Sequence, residues 1–183
     1  MRALRTTLKA ISPGARKEIL GEIRDLVPLG FNHHKTPQDW EGFDSAPDSI
    51  SGEELEKAKY QLGTLGGGNH FIELQKDQDG FIWIMIHSGS RNFGYQIAKK
   101  YHKLAKELCK LWQSEIPSTD LAFFPLETEQ ARDYIRDMNF ALDFAKENRN
   151  RMLTAVLEAV HKVMGEFSFE DSIDIHHNYA RME

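Results

Sequence analysis

The chain has 183 residues, 40% of them hydrophobic and 28% charged, and a formal net charge of −5. That length supports one domain with a sizeable buried core, and the composition is that of a folded soluble protein rather than a disordered one. The acidic balance excludes nucleic-acid binding driven by overall charge, so such a partner has to be held by a local basic patch or a metal ion. No apolar run approaches the roughly 20 residues of a membrane helix. The N-terminal stretch carries Arg2, Arg5, Lys9, Arg16 and Lys17 with no continuous apolar region behind them, which argues against a secretory signal. The single cysteine, Cys109, has no internal disulfide partner and fits the reducing cytoplasm.

Residues 1–27 are mixed apolar and basic, interrupted by Pro13 and Gly14, and residues 28–48 read as a loop rich in proline and glycine. Ser51 followed by Glu54 is a capping box and predicts a short helix over 51–60. A glycine-rich loop over 62–68 leads into a predicted strand at 70–75. Turn chemistry at 77–80 separates it from 81–86, which is apolar at every position and predicts a strand buried on both faces. The two strands form a hairpin or lie side by side. After Gly94 the period changes. Ile97, Tyr101, Leu104, Ala105, Leu108 and Leu111 recur as on an amphipathic helix, which Pro117 is expected to stop. A longer helical pattern runs over 128–164, as one bent helix or two, with Tyr134, Met138, Ala141, Ala145, Met152, Val156, Val160 and Val163 on its stripe and Gly165 as its stop. The tail from Ser172 reads as a short strand and then a polar turn. No internal repeat and no low-complexity tract is present. The expected class is α+β, with mixed strands and two long helical segments.

Three segments carry residues suited to chemistry. In Gly66-Gly67-Gly68-Asn69-His70-Phe71-Ile72-Glu73 the glycines allow close approach of backbone N–H groups to a ligand, or else form a tight turn before a strand. It is not a Walker A loop, since no Gly-Lys-Ser/Thr follows. In His87-Ser88-Gly89-Ser90-Arg91 a histidine ends an apolar strand and opens a loop of hydroxyl residues. Its imidazole suits a transition metal or a carbonyl hydrogen bond, and the serines and the Arg91 fork suit phosphate oxygens. In His176-His177-Asn178 adjacent strand side chains face opposite ways, so at most one histidine points at a given metal. His33, His34, His102 and His161 read as surface or packing histidines.

Taken together, these segments resemble the RtcB family of RNA ligases. The run from Leu62 to Glu73 is similar to that family's Gly-Thr-Leu-Gly-x-Gly-Asn-His segment. Ile86-His87-Ser88-Gly89-Ser90-Arg91 resembles its His-Ser-Gly-Ser-Arg segment, and His176-His177-Asn178-Tyr179 its later His-Asn segment. Weaker similarity covers Val27-Pro28-Leu29-Gly30 and the helix holding Phe144-Ala145-Lys146-Glu147-Asn148-Arg149.

The resemblance implies an RtcB-like fold with strands around a metal pocket. It implies joining of an RNA 3′-phosphate or 2′,3′-cyclic phosphate end to a 5′-hydroxyl end, with GTP and two manganese ions, in tRNA splicing or RNA repair. Residue by residue it makes His70, His87 and His177 metal ligands. Asn69, His70, Glu73, His177 and Asn178 become parts of the GTP pocket. On a straight strand His70 and Glu73 face opposite sides, so the chain is expected to bend there or Glu73 to act differently. The family's upstream Asp-x-Gly-Cys segment has no counterpart, since Cys109 sits in a helical, lysine-rich context. The downstream histidine that takes up GMP has none either. Residues 1–183 are therefore expected to be the central portion of a single catalytic domain, without its own nucleotide-accepting residue. The alternative is a catalytically inactive fragment that binds metal or nucleotide.

Overall fold

Four strands, β1 (Arg2–Thr6), β2 (Phe71–Lys76), β3 (Ile82–His87) and β4 (Phe169–Asp174), form one antiparallel sheet in the computed structural model, in the order β2-β3-β1-β4. The structure describes residues 1–176, so the expected site residues His177 and Asn178 lie outside the described residues. Four α-helices accompany the sheet: α1 (Pro13–Leu26), α2 (Gly52–Gln61), α3 (Arg91–Leu111) and α4 (Glu129–Met164). The expected mixture of strands and helices is present.

The β2–β3 hairpin follows from its turn. The Asp77 carboxylate accepts from the amides of Asp79 (3.0 Å) and Phe81 (2.8 Å), and Gly80 adopts φ +87°. The ladder then sets Phe71 opposite His87 and Ile72 opposite Ile86. With a side-chain period of two, Ile82, Ile84 and Ile86 all point to the inner face, while Trp83, Met85 and His87 point outward and are only half-buried. The expectation of burial on both faces is thus corrected: the run is apolar throughout, but only one face is covered among the described residues.

Two elements at the N-terminus differ from the sequence expectation. Residues 2–6 form a strand in the interior of the sheet, with Leu4 and Thr6 inward and the Thr6 hydroxyl donating to the Ile82 carbonyl at 2.7 Å. Pro13 and Gly14 do not interrupt structure; they begin α1. The Ser12 hydroxyl accepts from the Ala15 amide (3.2 Å), and proline at the first helical position loses no intrahelical bond.

α4 is one continuous helix of 36 residues, about 54 Å long at 1.5 Å per residue. Its C-terminal half packs Met152, Val156 and Val160 with Ile19 and Ile23 of α1 against Leu4, Ile84 and Ile86 of the inner sheet face. Its N-terminal half packs Phe140, Ala141 and Phe144 against Phe93, Ile97 and Tyr101 of α3 and Ala58 of α2. Gly165 ends the helix at φ +79°, as expected.

On α3 the buried stripe is Phe93, Ile97, Tyr101, Ala105 and Cys109, whereas Leu111 is 74% exposed and does not belong to it. Nor does Pro117 stop this helix. Gln113 takes a left-handed φ of 54°, and the amides of Gln113 and Ser114 return to the carbonyls of Lys110 and Cys109. That pattern closes the helix at Leu111, well before Pro117.

Candidate metal and phosphate site

The glycine-rich loop between α2 and β2 is held by its own backbone. The Leu65 amide donates to the Pro28 carbonyl and the Gly30 amide to the Gly66 carbonyl, both at 3.0 Å. The sequence similarity around residues 27–30 and the similarity around 62–68 therefore describe one paired structure. Gly66 sits at φ +88°, and a Cβ there would lie 1.9 Å from Arg91 Nη1 and 2.6 Å from His70 Nδ1. Only glycine lets both side chains lie against this backbone.

His70 precedes β2 rather than belonging to it, so strand alternation does not fix the direction of its imidazole relative to Glu73. His87 is the last residue of β3, opposite Phe71, whose ring stacks on it with centroids 5.4 Å apart. The His70 and His87 rings approach to 6.0 Å between centroids at an interplanar angle of 64°. Ser88 turns inward and donates to the Leu65 carbonyl at 2.9 Å, tying the loop after β3 to the glycine loop. Arg91 begins α3 at φ 58°, an uncommon conformation for a residue with a side chain, and its Nη2 donates to the Gly30 carbonyl at 2.7 Å. Burial draws its guanidinium below the ordinary arginine value.

His176 follows β4 and is half-buried; burial, followed by the positive charge of Arg149, holds its imidazole below the usual histidine range. Arg149, 2% exposed on α4, donates to Asp174 Oδ1 through Nε (3.1 Å) and Nη2 (2.7 Å).

These groups line one cleft of about 650 Å³. Its polar wall is Asn69, His70, His87, Ser88, Ser90, Arg91, Arg149 and His176, and its apolar wall includes Ile97, Met138, Ala141 and Ala145 from α3 and α4. Two arginines and three histidines face it, and no carboxylate lines it among the described residues. In a chain of net charge −5 that local balance favours an anion.

The chemistry of the donors fits a transition metal in part. Two imidazoles whose centroids are 6.0 Å apart are close enough to share one ion bound about 2 Å from a nitrogen of each. Among the described residues, no three histidine, cysteine, aspartate or glutamate side chains gather into a metal-binding group. The third expected ligand, His177, is outside them.

Of the expected site residues, the fold brings Asn69, His70 and His87 to the cleft. Glu73 is exposed on the outer sheet face, on the same side as Phe71 and His87, and accepts from Gln75 Nε2 at 2.6 Å; it does not line the cleft. His33, His34, His102 and His161 stand away from the cleft lining, and His161 stacks on Phe167 with centroids 4.1 Å apart. Sequence reasoning passed over Asn148 and Arg149 as site residues. The available signal was a pair of polar residues interrupting the apolar stripe of α4 between Ala145 and Met152.

Comparison with known proteins agrees with the motifs. The family described as tRNA-splicing ligase RtcB matches residues 33–183. RNA-splicing ligase RtcB1 of Escherichia coli is 33% identical over 208 aligned positions that cover 100% of this chain and 51% of the relative. A second Escherichia coli protein, RNA-splicing ligase RtcB, is 32% identical with the same coverage. The tRNA-splicing ligase RtcB of Pyrobaculum aerophilum is 35% identical over 75% of this chain and 32% of its own length. An α+β protein with a histidine- and arginine-lined cleft is the class that the structure defines. The chain belongs to the RtcB family, and it spans about half the length of the Escherichia coli relatives that it matches. No helix among the described residues is long and apolar enough to cross a membrane.

Proposed function

We propose that this chain forms the GTP- and manganese-binding part of an RNA ligase. The reaction joins an RNA 3′-phosphate or 2′,3′-cyclic phosphate end to a 5′-hydroxyl end, in tRNA splicing or RNA repair in the cytoplasm. The observation that carries the proposal is the cleft itself: three histidines, two arginines and two serines face one cavity in which, among the described residues, no lining carboxylate repels a polyphosphate.

In this reading His70, His87 and His177 supply imidazole to two manganese ions. Bound manganese neutralises polyphosphate charge and polarises a phosphoryl oxygen. Asn69, His70, Glu73, His177 and Asn178 hold GTP, with Glu73 reaching it from the outer sheet face. Arg91 and Ser90 donate hydrogen bonds to phosphate oxygens, at the start of a helix whose unpaired N–H groups favour negative charge and whose N-cap Ser90 makes no side-chain capping bond.

The test is a manganese titration of the chain, followed by the paramagnetic resonance of free Mn²⁺. The proposal expects saturable uptake that is lost in His87→Ala and weakened in His70→Ala. Uptake that survives both substitutions unchanged would place the metal elsewhere and overturn the assignment.

A further inference from the structure

We infer that Asn148 and Arg149, neighbours on one turn of α4, are positioning residues that hold all three histidine segments in register. The inference rests on the metal-site reading above. α4 has an apolar buried stripe on each side of this point, Phe144 and Ala145 before it and Met152 and Leu153 after it. Two large polar side chains, 0% and 2% exposed, interrupt that stripe where it passes the cleft. Burial of an amide and a guanidinium is unfavourable unless every polar atom is matched, and an apolar pair at this point would join the two cores into one. What the polar pair provides is a set of directed bonds.

Asn148 bonds both loops. Its Oδ1 accepts from the amides of Gly63 (2.7 Å) and Thr64 (3.0 Å), and its Nδ2 donates to the carbonyls of Thr64 (3.2 Å) and Gly89 (3.0 Å). One side chain thereby locks the glycine loop that leads to His70 against the turn that follows His87. Arg149 serves the third segment. It holds Asp174 with two hydrogen bonds, and Asp174 is the one position of β4 that is not exposed. The next residues in the chain after this strand are Ile175, His176 and His177. Asp174 does not line the cleft, so a change there reaches the site through Arg149, through the strand, or through its charge on His176.

The experiment compares wild type, Asn148→Gln, Arg149→Lys and Asp174→Asn by histidine side-chain NMR without metal and by Mn²⁺ titration, with thermal unfolding recorded for each. Asn148→Gln keeps the amide but moves it by one methylene, and is expected to shift the ring signals of His70 and His87 while leaving His176 in place. Arg149→Lys and Asp174→Asn are expected to do the reverse. Each is expected to weaken Mn²⁺ binding by about 10- to 100-fold, the range for losing the support behind a metal ligand. Folded variants whose three ring signals move together, or not at all, overturn the positioning role. So does an Asp174→Asn protein with wild-type Mn²⁺ affinity beside an impaired Arg149→Lys protein, because Arg149 then acts on the ligand directly. If the wild type takes up no Mn²⁺ while the ring signals still divide as stated, the metal reading fails and the positioning role stands.

Discussion

Gly66 and Arg91 lie in direct contact: a Cβ on the glycine would stand 1.9 Å from the arginine Nη1. Gly66 lies in the glycine loop and Arg91 at the start of α3, and each holds a left-handed backbone, Gly66 at φ +88° and Arg91 at φ 58°. The glycine makes room for the guanidinium, and the guanidinium closes the loop by donating to the Gly30 carbonyl. Gly66→Ala is therefore expected to cost roughly 1–2 kcal/mol in backbone strain alone, and to displace both Arg91 and His70. Chemical denaturation measures the first effect and GTP titration with Mn²⁺ the second. An alanine variant of wild-type stability and affinity contradicts the packing described.

Replacing Arg91 itself separates strain from binding. Arg91→Gly relieves the left-handed conformation but removes a cation from the cleft. The expected outcome is little loss of stability beside a GTP affinity lowered on the order of ten- to a hundredfold, as for the loss of charge-assisted hydrogen bonds. Parallel losses in both measurements would make Arg91 a structural residue only.

The hairpin turn gives a pH dependence. Burial alone raises the Asp77 carboxyl, but hydrogen bonds from the Trp83 indole, Arg5 and the Phe81 amide outweigh it and hold the group at about 2 against an ordinary 3.8. Because the folded value lies below the unfolded one, this stability is present above the ordinary value and is lost as pH falls toward 2. Asp77→Asn is expected to unfold at a lower temperature than wild type near neutral pH, with the gap closing as the solution is acidified. A gap that stays constant down to the acid limit rules the linkage out.

Much of this was legible in the sequence, for reasons specific to each element. The Ser51–Glu54 capping box, the turn at 77–80 and Gly165 all act locally, and each element they predict is present. β1 was hidden because Arg2 and Arg5 break its pattern, and it is a strand through pairing with β3 and β4, far away in sequence. The outward face of β3 was misread because an apolar residue reports that it prefers burial, not that a partner is there to cover it. At the cleft, the motifs led to Asn69, His70 and His87, which line it. Asn148 and Arg149 escaped because their partners, Gly63, Gly89 and Asp174, become neighbours only when the chain folds.

The core makes a conventional demand. Met152 is fully buried where α4 crosses the inner sheet face, beside Ile84 and Ile86. Met152→Ala is expected to cost about 2–5 kcal/mol in urea denaturation. A loss well under 1 kcal/mol would mean that α4 does not seal this face.

We propose that the cleft between the β2–β3 end of the sheet and the α3–α4 pair binds GTP through metal ions held by its histidines. Calorimetric titration of GTP into the chain, with and without Mn²⁺, tests it most directly when wild type is set beside His87→Ala. GTP binding is expected to require Mn²⁺ in the wild type and to be lost in His87→Ala. GTP binding that is equally tight without the metal, or indifferent to the substitution, would contradict it.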